Sequence, residues 1–223
     1  MGMGFRKIVD AVKVRGEVPQ SEDVLLSVDF GEGKSPVLLW GSGGAFRVYT
    51  SSHLYKASTP GYLLITDKES PASGDGVCLH TRVPICASLN YRLVVKWGML
   101  SGGVDYVKWR LYYHDGSYLH EAQVRYVVST TTWEYLDENN SWQAIATQGL
   151  RGIAVNILEF GVDFANDRYK YIVSNGTPYD LSGYSLHKLS NTTPYFLGAE
   201  VYVYSDGSDP AQGMVYWLYA MEE

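Results

Sequence analysis

Two carboxylates at the right separation are enough to cleave a sugar chain, so the acids are the first place to look for chemistry. A retaining glycosidase holds its pair about 5 to 5.5 Å apart. On a strand, the two-residue period puts alternate positions on one face. Glu159 and Asp163 share such a face in Glu159-Phe160-Gly161-Val162-Asp163, but no acid lies between them. Glu134 with Asp137 and Glu138 has the wrong spacing and stands beside a turn. Both groups read as solvated acids, and no catalytic residue is assigned.

Other reaction classes find no better footing. Gly41-Ser42-Gly43 mimics only part of a Gly-x-Ser-x-Gly nucleophile motif. The histidines His53, His80, His114, His120 and His187 show no His-x-x-x-His or His-Glu pairing. His114 and His120 flank an expected hairpin, but a zinc ion there would lack a third ligand. Asp206-Gly207-Ser208-Asp209, and Asp67 with Glu69 and Asp75, are oxygen-rich loops. Calcium wants about six to eight oxygens, and neither loop matches an EF-hand. They read as polar turns, so no metal or cofactor is expected, calcium being the one ion these loops bring to mind. The glycine runs at 41–44 and 102–103 do not open a helix-like stretch, as a phosphate cradle would.

Aromatic density is the remaining chemical signal. Tyr106, Trp109, Tyr112, Tyr113, Tyr118, Tyr126, Trp133, Tyr135 and Trp142 crowd the middle of the chain. Sugars present apolar faces on which exposed Trp and Tyr stack, while acids and amides hold the hydroxyls. The candidate carbohydrate site is Trp133, Tyr135 and Trp142 about one hairpin, with Glu134 and Gln143. The competing reading is sandwich core and subunit interface, since alternation turns half of these rings inward.

The elements that must position these residues are strands. Among 223 residues are 19 Tyr, 6 Trp, 6 Phe and 23 Gly, with charged residues at 19%. Aromatic and β-branched residues suit a pleated surface, and glycine supplies turns. Runs at 24–30, 37–40, 45–50, 62–66, 91–97, 104–113, 121–130, 133–136, 142–146, 156–164, 168–173, 201–204 and 214–220 read as strands. Asp115-Gly116 and Asn175-Gly176 mark tight turns between them. Helical periodicity is nearly absent, which points to an all-β sandwich or barrel. A chain of this length buries enough apolar surface to fold without a staple. Cys78 and Cys86 would lie about 26 Å apart on one extended strand. A bridge therefore needs a reversal between them, and the plainer reading is two buried free thiols.

Residues 1–20 differ from the rest. Arg6, Lys7, Lys13 and Arg15 stand there against Asp10 and Glu17, and Val12-Lys13-Val14-Arg15 alternates like a strand before Gly16 and Pro19. The segment reads either as an arm that adds to a neighbouring copy or subunit, or as a frayed terminus. The organisation expected is thus 1–20 as arm or edge element and 21–223 as one β-sandwich domain. The net charge of −6 speaks against a nucleic-acid partner. No apolar run is long enough for membrane insertion, and the first residues do not resemble a secretion signal.

Several segments resemble a known superfamily. Leu26-Ser27-Val28-Asp29-Phe30, Trp40-Gly41-Ser42-Gly43-Gly44, and Tyr55-Lys56-Ala57-Ser58 before Tyr62-Leu63-Leu64-Ile65-Thr66 resemble the opening of concanavalin A-like jelly rolls. In laminin-G-like members a similar opening precedes a strand like Tyr91 to Trp97. The stretch from Val162 to Gly176 resembles their hairpin ending in Asn-Gly. The likeness runs over about residues 24 to 220. It implies an antiparallel β-sandwich of two curved sheets packed face to face. Hydrolases of this fold would carry a Glu-x-Asp-x-Glu or Glu-x-Asp-x-x-Glu run, and none occurs here. The fold serves lectins, hydrolases, adhesion modules and virion proteins alike, so it does not assign function.

The leading expectation is a non-enzymatic structural or adhesion protein, a component of a virus or phage particle that partners itself or other assembly subunits. Its place would be a virion or cell surface reached without a signal peptide, and otherwise the cytoplasm. A carbohydrate-binding lectin-like module is the alternative, and a divergent glycan hydrolase the third.

Overall fold

A computed structural model describes residues 24–29, 38–41, 46–50, 62–66, 72–99, 102–150, 155–193, 195–209 and 211–223. The arm residues Arg6, Lys7, Lys13 and Arg15, and the loop acids Asp67 and Glu69, lie outside them. The described residues form sixteen strands. These are β1 (Val24–Asp29), β2 (Leu38–Gly41), β3 (Phe46–Thr50), β4 (Tyr62–Thr66), β5 (Gly76–Arg82), β6 (Asn90–Met99), β7 (Val104–His114) and β8 (Tyr118–Val127). There follow β9 (Thr132–Leu136), β10 (Trp142–Thr147), β11 (Asn156–Asp163), β12 (Arg168–Ser174), β13 (Thr177–Asp180), β14 (His187–Ser190), β15 (Phe196–Ser205) and β16 (Gln212–Glu222). No helix among the described residues is long and apolar enough to cross a membrane.

The strands make two open antiparallel sheets. The first runs β13-β12-β11-β6-β16-β4-β3, with β1 also on β16; the second runs β10-β9-β8-β7-β15-β5-β2, with β14 also on β8. The expected β-sandwich is therefore present. Its turns follow the residue chemistry. Asn175 and Gly176, with φ of 49° and 84°, join β12 to β13 through two residues of positive φ, the geometry whose twist suits a hairpin. Gly116, at φ 91°, turns β7 into β8.

The core lies between the sheets. From the first sheet Tyr91, Leu93, Val95 and Trp97 point inward, and from the second Val107, Trp109, Leu111 and Trp133 meet them. Trp97 and Trp109 cross edge to face at 4.6 Å, and Trp133 sits 5.4 Å from Trp109. Tyr169 reaches across from β12: its hydroxyl donates to the Leu136 carbonyl at 2.8 Å and accepts from the Gln123 amide at 2.9 Å. Cys78 and Cys86 are both buried free thiols.

Two expectations need correcting. No strand was expected between 66 and 91, but β5 runs from Gly76 to Arg82. The next-to-last strand was expected only from Val201, yet β15 begins at Phe196. In both cases the period of two continues through polar residues. Val77, Leu79 and Thr81 alternate with Cys78, His80 and Arg82, because this strand has two different faces rather than one dry and one wet.

Candidate functional site

The outer face of the second sheet, away from the core, carries the polar chemistry. Strand register sets it out in rows. Glu200 on β15 stands between His80 on β5 and Arg110 on β7, and Arg110 pairs onward with Gln123 on β8. In the next row Tyr202 lies between Cys78 and Lys108, followed by Arg125 and by Glu134 on β9. On the other side of the Glu200 row, Gly198 is followed by Tyr112, Glu121 and His187. Adjacent strands thus bring together residues far apart in the chain. This happens because inward positions on each strand are apolar and the alternate ones are not.

Glu200 is the hub. It accepts hydrogen bonds from Arg110 Nη1 at 2.8 Å and Tyr202 Oη at 2.7 Å. His80 Nδ1 lies 3.1 Å from its other oxygen and 3.2 Å from the Tyr112 hydroxyl. Burial alone would raise the Glu200 pKa, but the His80 contact, the Arg110 charge and the Tyr202 hydroxyl more than reverse this and hold it at about 2. Arg110 also bonds Glu121, and its guanidinium lies 4.2 Å from the centre of the Tyr112 ring. Burial opposes its charge, while Glu200 and Glu121 hold it firmly protonated. Lys108 goes the other way: burial and the neighbouring Arg110 bring it down to about 8. Tyr112 and Tyr202 are pushed upward, first by burial and then by nearby anions, including Glu200 in each case.

Beside this hub runs a strip of stacked planes, buried at Tyr202 and half-buried from Tyr204 to Trp142. Lys108 Nζ sits 4.2 Å from the centre of the Tyr202 ring. Tyr202 and Tyr204 stack at 5.6 Å, and Tyr204 and Tyr106 at 4.4 Å. The Arg125 guanidinium lies between Tyr106, at 5.1 Å, and Trp142, at 4.1 Å, and is held by Glu134 at 2.6 Å. Glycines let rings lie flat on the sheet. A Cβ on Gly198 would meet Tyr112 Cζ at 2.6 Å, and one on Gly76 would meet Tyr204 Cε1 at 2.7 Å. Such a row of aromatic faces, interleaved with guanidinium and carboxylate, can stack on pyranose rings and hold their hydroxyls.

No protein-family model and no curated protein sequence matches the chain. Solved structures do. An alginate lyase from Chlorella virus matches with a TM-score of 0.57 and 9% identity, over 90% of this chain and 100% of that one. The lectin I-B4 of Griffonia simplicifolia matches with a TM-score of 0.54 and 9% identity, over 87% and 98%. A carbohydrate esterase from Shiga toxin-encoding bacteriophage phi24B matches with a TM-score of 0.53 and 12% identity, over 90% and 98%. The fold is the concanavalin A-like jelly roll. At these identities the likeness extends to the fold alone.

Within this jelly roll the five sugar-site candidates are divided. Trp133 and Tyr135 point into the core, Trp133 being fully buried with its Nε1 donating to Gln148 at 3.0 Å. They cannot stack on a ligand, and that part of the expected site is corrected. Glu134 and Trp142 do reach the outer face, where both engage Arg125. Gln143 bonds the Asp137 carboxylate at 2.8 Å at the exposed hairpin end. Glu159 and Asp163 are outward on the first sheet with separate tasks: Glu159 takes Arg92 and the Tyr171 hydroxyl, and Asp163 caps the following turn through Asn166. His114 points outward and His120 to the opposite side of the hairpin. His120 contacts Asp115 and Asp167 there. Sequence reading missed His80, Lys108, Arg110, Glu121, Glu200 and Tyr202. Their signal was alternation itself, a polar residue at every second place between Val107, Trp109 and Leu111.

Proposed function

We propose that this jelly roll is a glycan-binding module without catalytic activity, and that the strip from Lys108 through Tyr202, Tyr204, Tyr106 and Arg125 to Trp142 is its binding surface. The observation that carries the reading is the strip itself: aromatic and guanidinium planes stacked and pre-ordered on one sheet face, Tyr202 buried beneath and Tyr204, Tyr106, Arg125 and Trp142 half-buried. Pre-ordering matters because side chains already fixed lose little freedom on binding.

Support for a binding rather than a reacting site comes from proton affinities. A glycosidase acid needs a raised pKa so that it holds a proton for the leaving group, whereas Glu200 is held at about 2. Tyr112 and Tyr202, pushed upward, keep their protons at neutral pH and so offer no ready base. Arg110 is already committed to two carboxylates. A place in a virus or phage particle, beside copies of itself or other subunits, goes with this reading as an adhesion role. It draws on the likeness to a phage-encoded carbohydrate esterase and is checked by mass spectrometry of purified particles.

The test is binding of the full chain to arrayed neutral and uronate-bearing glycans. Wild type should bind a subset, and Trp142→Ala and Tyr106→Ala should each weaken that subset. Unchanged binding in both variants would move the surface elsewhere. New reducing ends or unsaturated products released from polysaccharide by the wild-type protein would refute the non-catalytic part.

A further inference from the structure

The end of the second sheet holds a feature that the strip does not use. The β7–β8 hairpin turns through Asp115, Gly116 and Ser117, while the chain leaving β14 continues through Asn191 and Thr192. Between them is an open, shallow cavity of about 570 Å³ lined by Gly116, Ser117, Tyr118, Ser190, Asn191 and Thr192. That size falls in the range of small-molecule sites, about 300 to 1,000 Å³. By strand alternation Tyr118 and Ser190 face the opposite way from their neighbours Leu119 and Leu189, which continue the outer face. The cavity is therefore separate from the strip.

Its lining is neutral and rich in hydroxyl and amide groups. The side-chain hydroxyls of Ser117, Ser190 and Thr192 make no hydrogen bond among the described residues. Asn191 Oδ1 accepts from the Thr193 amide and hydroxyl, which leaves its NH2 group for another acceptor. Two tyrosines border the space. Tyr118 is 41% exposed and Tyr195 70% exposed. The Tyr195 ring rests on the turn, 3.5 Å from where a Cβ on Gly116 would be.

The walls are fixed before any ligand arrives. Asn191 donates its amide to the Ser117 carbonyl at 2.8 Å, joining the two sides. Asp115 accepts from the amides of Ser117 and Tyr118 at 2.8 and 2.6 Å, and its second oxygen faces His120 at 3.0 Å. Lys188 bonds Asp167 at 3.0 Å while lying 4.5 Å from the centre of the Tyr118 ring. The neighbouring charges thus satisfy one another.

We propose that this cavity is a second saccharide site, selective for a neutral pyranose whose apolar face stacks on Tyr195 or Tyr118 and whose hydroxyls meet Ser117, Ser190, Asn191 and Thr192. It stands on its own residues and does not need the strip to bind. The test is a set of amide NMR spectra of the full chain titrated with maltotetraose, cellotetraose, mannotetraose and, as the anionic probe, tetragalacturonate. At least one neutral tetrasaccharide should shift the amides of Gly116, Ser117, Tyr118, Asn191 and Thr192. Tyr195→Ala should weaken that binding at least about tenfold with an unchanged melting curve, and Ser190→Ala/Thr192→Ala should weaken it too. Absence of those shifts with all three neutral probes would overturn the proposal, as would tighter binding of tetragalacturonate there. Shifts confined to Arg125, Trp142 and Tyr204 would support the strip and sink the second site. Shifts confined to the cavity would do the reverse. Loss of dimer mass in Tyr195→Ala, with saccharide binding retained, would show that a second copy covers these rings instead.

Discussion

Replacing Glu200 with Gln puts the whole buried hub to the test. The carboxylate has 5% of its side-chain surface exposed and takes hydrogen bonds from Arg110 and Tyr202, with His80 at 3.1 Å. Its pKa falls from an ordinary 4.5 to about 2. At about 1.4 kcal/mol per unit, this is worth about 3 kcal/mol of stability. The sign follows from the direction of the shift. A group whose folded pKa is depressed contributes above its unfolded pKa and loses that contribution as pH falls through the folded value. The window here is pH 4.5 down to about 2. Glu200→Gln keeps the size but removes the charge, leaving Arg110 only Glu121. Breaking a buried pair costs about 3 to 5 kcal/mol when a charge is left alone, so about 3 kcal/mol is consistent with partial rescue. Urea unfolding of both proteins from pH 7 to pH 2 should show a gap of that size at neutral pH which closes toward pH 2. A gap under about 0.5 kcal/mol at pH 7, the scale of an ordinary surface substitution, would refute the hub. So would a gap that persists unchanged at pH 2.

Three further outcomes follow from the packing. Trp133→Ala should cost about 3 to 5 kcal/mol in urea unfolding, as for other large core deletions, because the ring is fully buried against Trp97 and Trp109. A near-neutral result would return Trp133 to the surface. Gly198→Ala should cost about 1 to 3 kcal/mol by overpacking and displace Tyr112, whose ring atoms lie 2.6 to 2.8 Å from the added carbon. Unchanged stability with an unchanged Tyr112 ring environment by NMR would contradict that geometry. Cys78 and Cys86 should resist a thiol reagent in the native protein and both titrate after unfolding, since both are buried free thiols and burial chiefly drives the Cys78 pKa upward. Two oxidised sulfurs after anaerobic unfolding would show a bridge instead.

What was legible and what was not divide along one physical line. Local turns and single-strand alternation can be read directly: Asp115-Gly116 and Asn175-Gly176 form the hairpins their residue types favour, and Tyr91, Leu93, Val95 and Trp97 share a face because they are spaced by two. Pairing over long separations leaves no such trace. Arg110 and Glu200 are 90 residues apart, and His80 and Glu200 are 120 apart. Nothing in either neighbourhood names the other. Charge balance hid the site further. Lys108, Arg110 and Arg125 are offset by Glu121, Glu134 and Glu200, so no basic or acidic run stands out. The Trp133 hairpin shows the limit most clearly. Parity requires Trp133 and Tyr135 to share a side and Glu134 to take the other, but apolar Leu136 follows Glu134 in parity, so both sides could claim the core. Only register settles it: Tyr126 opposite Trp133 and Arg125 opposite Glu134 turn the tryptophan inward. Trp142, opposite Leu136 across the hairpin, joins the outward set. One residue of slip would have exchanged the two tryptophans. Placing Trp133 and Tyr135 in the expected sugar site was thus a statement about register made without the partner strand. Glu134 and Trp142 stand on the outer face, both fastened to Arg125.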